Sequence, residues 1–177
     1  MYSHTDAVFF AHITHGFINR FAVTKSSVLK LTGRFVTEKT LQSSTIYFDI
    51  NTSEYWDEML GFIGVEKDML PALMDSGKYV GEYNGIKVIT SAMDQVAGAI
   101  GAGVIEKGIC SVMTGTTMAI YLPTDSVPEF KEDSFVPCHY SFDGSYALLS
   151  WSPTAGMALK WFKEAFLPDV SFKDLDA

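Results

Sequence analysis

The chain has 177 residues, of which 47% are hydrophobic, and a formal net charge of −8. This length and this apolar share predict a globular protein with a real core. The negative charge argues against nucleic acid, which proteins bind chiefly through Lys and Arg. No apolar run reaches the roughly 18 residues of a membrane span. The first basic residue is Arg20, so the start does not resemble a signal peptide. We therefore expect a cytoplasmic protein without a nucleic-acid or membrane partner.

Histidine and cysteine spacing predicts neither a metal centre nor a disulfide framework. His4, His12 and His15 have no carboxylate or thiol at ligand spacing, and we interpret them as unpartnered histidines. Cys110 and Cys138 are too few and too far apart for a disulfide or zinc pattern. Cys110 stands in an apolar run and is predicted to be a buried small hydrophobic residue.

The first half of the chain predicts short elements of mixed type. A short helix from Ser26 to Leu31 can end at Gly33, which suits the left-handed conformation of a helix C-terminus. A strand is expected from Thr45 to Asp49. The Asn84-Gly85 pair is typical of a tight hairpin turn, and a strand from Ile86 to Ser91 is predicted to follow it.

The second half predicts a helix rich in small residues and then three strands. The helix runs from Val96 to Gly103, and each glycine in it costs about 1 kcal/mol of helix propensity. Such a composition is explained if a backbone or a ligand approaches the helix closely. Two strands, Ile109–Thr114 and Thr117–Leu122, are expected to form a hairpin joined at Gly115-Thr116. Tyr146–Trp151 is predicted to be the third strand.

The last helix is predicted from its start signal and its apolar period. Ser152 suits the N-cap and Pro153 the first helical position, while Pro168 should end the helix. Apolar residues recur at helical spacing and predict a buried stripe: Ala155, Ala158, Leu159, Phe162 and Phe166. Trp161 lies off this stripe.

The stretch from Asp94 to Thr117, DQVAGAIGAGVIEKGICSVMTGTT, carries the candidate chemistry. Phosphoryl transfer needs a positioned base and a phosphate cradle. From the residues alone, Asp94 suits a helix N-cap better than a catalytic base. Gly115, Thr116 and Thr117 suit an ordinary hairpin turn about as well as a phosphate-binding turn, in which N–H groups and hydroxyls supply the donors. Both alternatives stay open at this level.

The same stretch resembles the FGGY family of carbohydrate kinases, the relatives of glycerol kinase and xylulose kinase. In that family an Asp-Gln pair opens a Gly/Ala-rich helix, and a Gly-Thr phosphate loop follows. Upstream, VLKLTGRFVTEKTLQSSTIYFDINTSEYWDEML is similar to the family's Leu-Thr-Gly segment. Downstream, GSYALLSWSPTAGMALKWFKEAF is similar to its Gly-Tyr, Thr-Ala-Gly and Trp segment. The resemblance covers Ser27 to Phe166.

The resemblance implies an incomplete α/β protein of the ribonuclease H-like, actin-like ATPase fold that spans the junction of two domains. Residues 1–85 would be the C-terminal part of the family's N-terminal domain. Residues 86–177 would be the first part of its C-terminal domain, with the active site in the cleft between them. The implied reaction transfers the γ-phosphoryl group of ATP to a hydroxyl of a ketose or polyol, with Mg²⁺.

The resemblance also implies roles for individual residues. Asp94 corresponds to the catalytic base, and Gln95 to a neighbouring polar residue that contacts the sugar. Gly115, Thr116 and Thr117 correspond to a loop that binds the ATP phosphates. No residue of this chain is assigned as a metal ligand, because Mg²⁺ would arrive with ATP.

Two family motifs are missing from the sequence: the N-terminal Asp-x-Gly-Thr-Thr phosphate motif and the late glycine-rich segment that holds the adenosine. We therefore expect the middle portion of a kinase that is inactive alone. The alternatives are a non-catalytic truncated remnant, a sugar- or partner-binding module of the same fold, or another actin-like ATPase. Exposed apolar side chains are expected to cause self-association, possible homodimerisation or marginal stability, with the segment before Ser26 least ordered: Phe9, Phe10, Phe17, Phe21, Trp161 and Phe166.

Overall fold

The computed structural model describes residues 27–129 and 136–175 of the chain. These residues are mixed α/β and form two compact units, the first ending at Ala92 and the second beginning at Met93. The family-domain boundary expected between residues 85 and 86 stays a prediction. The expectations for the three N-terminal histidines, the four N-terminal phenylalanines and the order of the segment before Ser26 lie outside the described residues.

The first unit is built from short helices and three separate pairs of strands. Strands β1 and β4 pair in parallel, whereas β2 with β3 and β5 with β6 pair antiparallel. Its helices are α1 (residues 27–32), α2 (Lys39–Gln42) and α3 (Asp57–Ile63), with a 3₁₀ turn at Lys67–Met69. Its strands are β1 (Val36–Glu38), β2 (Phe48–Asp49), β3 (Glu54–Tyr55), β4 (Ala72–Met74), β5 (Tyr79–Tyr83) and β6 (Ile86–Ile89).

The hairpin β5–β6 confirms the predicted turn and the strand after it. Tyr83 and Ile86 are paired across the turn. Asn84 and Gly85 both have positive φ, 50° and 79°, which is the requirement of the tight turn that Asn-Gly favours. The first helix was also predicted, and Gly33 ends it with φ 72° and an N–H bond to the carbonyl of Leu29.

The second unit contains one antiparallel sheet and three helices. The strand order is β7-β8-β10-β9. Its strands are β7 (Ser111–Thr114), β8 (Met118–Thr124), β9 (Cys138–Tyr140) and β10 (Tyr146–Ser152), with a 3₁₀ turn at Phe142–Gly144. Its helices are α4 (Asp94–Gly101), α5 (Gly156–Phe166) and α6 (Phe172–Leu175).

The core of the second unit is centred on strand β8. Tyr121 is buried between its two neighbouring strands, opposite Ser111 on β7 and Leu149 on β10. Its hydroxyl shares a 2.6 Å hydrogen bond with the buried Ser141 hydroxyl, so the phenol is not left unsatisfied away from water. Val96 and Ala99 of α4 are also buried. The hairpin predicted from the Gly-Thr turn, and the third strand, are confirmed.

The last helix differs from its prediction at both its start and its buried face. It begins at Gly156 with Ala155 as N-cap, and no side chain caps it. Ser152 remains in β10 and its hydroxyl donates to the carbonyl of Thr154 instead. None of its eleven residues is buried, and Phe166 is 61% exposed. The apolar period predicted the helix correctly, but the described residues contain nothing that covers its apolar face.

No helix in residues 27–129 or 136–175 is long and apolar enough to cross a membrane.

Candidate functional site

Asp94 is the first residue of helix α4, which begins a few residues after β6. Its side chain is exposed, and its Oδ1 atom accepts a 2.9 Å hydrogen bond from the backbone N–H of Gln95. The N-cap is Met93, so the alternative of Asp94 as the N-cap residue is wrong by one position. A carboxylate in the first turn is nevertheless favoured by the positive end of the helix dipole.

Asp94 therefore starts the helix that follows the predicted strand, and its side chain faces solvent. None of the ion pairs found among the described residues includes it. Its Oδ2 atom therefore remains available to a ligand in the described structure. Gln95 is half-buried beside it.

Residues 115–117 form the exposed turn between β7 and β8. The Gly115 N–H closes the turn by donating to the carbonyl of Thr117 at 2.8 Å. Within the described ranges, the N–H groups of Thr116 and Thr117 donate to no backbone carbonyl, and neither threonine hydroxyl has a hydrogen-bond partner. Consecutive unpaired N–H groups and hydroxyls are suitable donors for an anion.

The start of helix α5 is hydrogen-bonded to this turn. The Ala155 N–H donates to the carbonyl of Thr116 at 3.0 Å, and the Gly156 N–H donates to the carbonyl of Gly115 at 2.9 Å. A Cβ atom on Gly156 would lie 2.6 Å from that same carbonyl oxygen, which is closer than real Cβ atoms come to another heavy atom. Only glycine therefore allows the helix start to approach the turn in this way.

Gly156 was not among the site residues predicted from sequence. The Thr-Ala-Gly segment was noted there only as part of a resemblance, and its partner, Gly115, is far away in sequence. A strand followed by a glycine at a helix start was the available signal, but it does not indicate which backbone the glycine meets.

Helix α4 lies against the β7–β8 hairpin, and its small residues have different explanations. A Cβ atom on Gly98 would lie 3.4 Å from the Met113 sulfur, so here the close neighbour is a side chain. Gly103 has φ 77°, which favours glycine. Gly101 has no neighbour within 4 Å. None of these three glycines has a backbone neighbour within 4 Å of its Cβ position in the described structure, so the expected close approach of a backbone is not found. No hydrogen bond links Asp94 to the described turn residues.

The charged side chains in the described part of the second unit form no cluster that could hold a metal ion. Its closest ion pair joins Lys107 to Asp125 at 2.8 Å, and this hydrogen bond raises the pKa of Lys107. No three His, Cys, Asp or Glu side chains in residues 27–129 and 136–175 are grouped to hold a metal ion. A single exposed carboxylate does not make a divalent-cation site by itself.

Comparison with known sequences identifies the family. The sequence model of the "FGGY family of carbohydrate kinases, N-terminal domain" matches residues 18–101, a stretch that includes Asp94 and Gln95. The chain is 29% identical over 159 residues to xylulose kinase of Bacillus subtilis strain 168, covering 82% of this chain and 32% of that protein. It is 33% identical over 146 residues to glycerol kinase of Bradyrhizobium diazoefficiens, covering 76% of this chain and 29% of that protein. The chain belongs to the FGGY family of carbohydrate kinases.

Comparison with solved structures identifies the fold. The ligand-bound xylulose kinase from Lactobacillus acidophilus superposes with a TM-score of 0.79 at 22% identity, over 86% of this chain and 33% of that one. The mixed α/β arrangement is therefore part of the actin-like ATPase fold of these kinases, as the sequence predicted. The chain spans about a third of the length of the relatives that it matches.

Proposed function

We propose that this chain is a portion of an ATP-dependent carbohydrate kinase that transfers the γ-phosphoryl group of ATP to a hydroxyl of a ketose or polyol. The observation that carries the proposal is the exposed Asp94 carboxylate at the start of α4, with one oxygen held by the Gln95 N–H at 2.9 Å and the other unpartnered among the described residues. A base must be fixed in position and still open to substrate, and this carboxylate meets both needs.

In the proposed reaction, Asp94 accepts the proton of the attacking sugar hydroxyl. The oxygen of that hydroxyl forms a bond to the γ-phosphorus, the bond from the γ-phosphorus to the bridging oxygen breaks, and ADP leaves. Little covalent chemistry is asked of the protein, because positioning and electrostatic stabilisation dominate such transfers. Gln95, next to the base, contacts the sugar.

The second element of the proposal is the turn of Gly115, Thr116 and Thr117, which binds ATP phosphate. Its support is the pair of unengaged N–H groups and hydroxyls, held in place by two backbone hydrogen bonds from the start of α5. The described donor set does not fit a protein-bound Mg²⁺. We therefore assign the magnesium to the nucleotide, and no step is attributed to a protein metal ligand. A cytoplasmic location is part of the proposal and is consistent with ATP as co-substrate.

The relatives support the proposed substrate class. The names of the relatives are xylulose kinase and glycerol kinase, a ketose kinase and a polyol kinase. Since the chain matches both at similar identity, the proposal extends to ketoses and polyols and not to one sugar.

Nuclear magnetic resonance on the ¹⁵N-labelled chain tests the site directly. Titration with MgATP should shift the amide signals of residues 115–117 most, because the N–H groups of Thr116 and Thr117 donate to the phosphate within this turn. Subsequent titration with D-xylulose or glycerol should shift Asp94 and Gln95. The matched variant Asp94→Asn should keep the nucleotide shifts and lose the sugar shifts. Nucleotide shifts confined to other parts of the chain would contradict the phosphate site.

The isolated chain is expected to show no measurable sugar-dependent ATP hydrolysis. Its sequence lacks the N-terminal phosphate motif and the adenosine segment of the family, and loss of positioning can remove about 7–11 kcal/mol of barrier lowering. A coupled assay of ADP release over several ketoses and polyols measures this. If the isolated chain phosphorylates a ketose, the expectation that it is inactive alone is wrong. If Asp94→Asn then abolishes that activity, the proposed role of Asp94 as the base is supported.

A further inference from the structure

The turn between β5 and β6 places an asparagine directly before a glycine at the surface. Asn84 and Gly85 are both exposed, and both have positive φ. Within the described ranges, neither the Asn84 side-chain amide nor the Gly85 N–H has a hydrogen-bond partner. A side-chain amide and the backbone nitrogen that follows it can react with each other, and here both groups are unengaged.

The glycine leaves the reacting atoms uncrowded. Attack of the Gly85 nitrogen on the side-chain amide carbon of Asn84 closes a five-membered ring, and a side chain on the attacking residue hinders that approach. Glycine has no Cβ atom. A Cβ atom built on Gly85 would meet nothing within 4 Å, so the surrounding structure does not obstruct the attack either.

The closed turn opposes the reaction, because the paired hairpin holds Asn84 in one backbone conformation and ring closure requires another. This hairpin is a two-stranded sheet that no other described strand joins. Its register is irregular between Tyr79 and Gly81, and Val80 is the only buried residue of its two strands. A lone two-stranded hairpin is at best marginally stable in water. Local opening of the turn therefore costs less than global unfolding and gives access to the reactive conformation.

We propose that Asn84 is a site of spontaneous deamidation, with water as the co-reactant. The Gly85 nitrogen loses its proton to solvent and forms a bond to the Asn84 Cγ atom. The bond from Cγ to Nδ2 breaks, and the nitrogen takes up a proton and leaves as ammonia. Water then opens the cyclic imide at one of its two carbonyl carbons. Opening at Cγ gives aspartate, and opening at the backbone carbonyl carbon gives isoaspartate, in which the main chain runs through the former side chain.

The two products have different consequences for the hairpin. Asp-Gly suits the same two-residue turn as Asn-Gly, so the aspartate product keeps the hairpin. The isoaspartyl linkage adds one atom to the backbone of a turn that pairs Tyr83 with Ile86. The two strands then no longer meet in this register, and the hairpin opens. The reaction uses none of the residues proposed for catalysis, so its test is independent of the proposed kinase function.

Peptide mass spectrometry of the whole folded chain, incubated at mildly alkaline pH, measures the reaction. Trypsin releases Asn84 in peptide 79–87 and Asn51 in peptide 40–67, and each peptide contains a single asparagine. Deamidation replaces the side-chain NH₂ with OH, and the mass of the peptide reports it. The rate at Asn84 should increase with pH, because the attacking nitrogen must lose its proton.

Asn51 is the matched internal control. It is exposed like Asn84, but the β-branched Thr52 follows it, and its side-chain amide donates to Asp49 Oδ1 at 3.0 Å. We expect deamidation at Asn84 to be faster by about tenfold or more, because glycine offers no steric hindrance whereas a β-branched residue does. Equal rates at the two asparagines, or a faster rate at Asn51, would overturn the proposal.

Urea unfolding followed by Trp56 fluorescence, with the other two tryptophans replaced by Phe, tests the consequence for the hairpin. Freshly purified Asn84→Asp carries the charge of the product without the isoaspartyl linkage, and it should unfold like the fresh parent protein. The aged parent protein should lose stability in proportion to its isoaspartate content, measured by enzymatic methylation of isoaspartyl groups. An aged protein rich in isoaspartate that unfolds like the fresh one would show that the linkage does not open the hairpin.

Discussion

Two carboxylates, one in each unit, have opposite surroundings. Glu38 is 4% exposed and accepts four hydrogen bonds, two at each oxygen. Asp94 is exposed and accepts one. The Glu38 carboxylate holds the start of α2 and the Ser76 hydroxyl together and has no capacity left for a ligand. Asp94 has such capacity. Satisfied polar groups indicate a structural role, and open ones, held in place, indicate a functional role.

The first prediction tests this contrast through stability, where the largest effect is expected. Glu38→Ala leaves the Thr40 and Leu41 N–H groups and two hydroxyls without their acceptor, and should lower the free energy of unfolding by about 3 kcal/mol. Asp94→Ala should lower it by about 0.5 kcal/mol or less. Urea unfolding followed by Trp56 fluorescence, with the other two tryptophans replaced by Phe, reports on the first unit.

The same measurement on Trp151 and Trp161 reports on the second unit, which contains Asp94. Similar losses for the two carboxylate variants would contradict the contrast between them. Glu58→Ala, at an exposed position in the first turn of α3, is the control for removing a surface carboxylate from the first unit.

The second prediction concerns the glycine behind the turn. Gly156→Ala inserts a methyl group 2.6 Å from the Gly115 carbonyl oxygen, and the resulting strain should cost about 1–3 kcal/mol. It should also displace residues 115–117 and reduce the MgATP-induced shifts of their amides. Gly101→Ala is the matched control, because Gly101 has no neighbour within 4 Å, and it should stabilise the helix by up to about 1 kcal/mol. Equal effects of both changes on the turn amides would show that Gly156 does not position it.

The smallest predicted effect is a pH dependence from a half-buried histidine in the second unit. Burial lowers the pKa of His139 below its ordinary value of 6.5. As pH falls below 6.5, the unfolded chain binds a proton more readily than the folded one, so stability falls. Above that value both states are neutral and this group adds no pH dependence.

Urea unfolding of the wild type and of His139→Gln, followed by Trp151 and Trp161 fluorescence across this range, isolates the contribution. The difference between the two proteins should change in the acidic range and stay constant at neutral and basic pH. A difference that is the same at every pH would mean that His139 does not titrate differently on folding.

The sequence predicted those parts of the molecule that local chemistry determines. Asn84-Gly85 predicted a hairpin because few other residue pairs accept two consecutive positive φ angles. The strand-like residues on both sides of Gly115-Thr116 predicted the second hairpin. Asp94 could be placed at a helix start because Asp is favoured at and near the N-terminus of a helix. The roles of Asp94, Gln95 and the Gly115 turn in catalysis remain proposals.

The features that sequence did not predict depend on distant neighbours. The apolar period of α5 was recognised, but whether that face is buried depends on what packs against it. Cys110 was predicted to be buried but is exposed. It directly precedes β7 at the edge of the described sheet, and no local pattern encodes an edge position. The requirement for Gly156 depends on Gly115, which a different strand-turn unit supplies.

The sheet of the second unit also has a connectivity with a kinetic consequence. Strand β8 joins β7 through residues 115–117, whereas its other neighbour, β10, begins only after residues 125–145. Closing the longer loop costs about 2 kcal/mol more in chain entropy than closing the shorter one. The β7–β8 hairpin therefore costs less chain entropy to form and is expected to form first. Strand β10 can then pair with a β8 strand that is already in place. The turn assigned to phosphate binding is thus also the shortest loop closure in the assembly of this sheet.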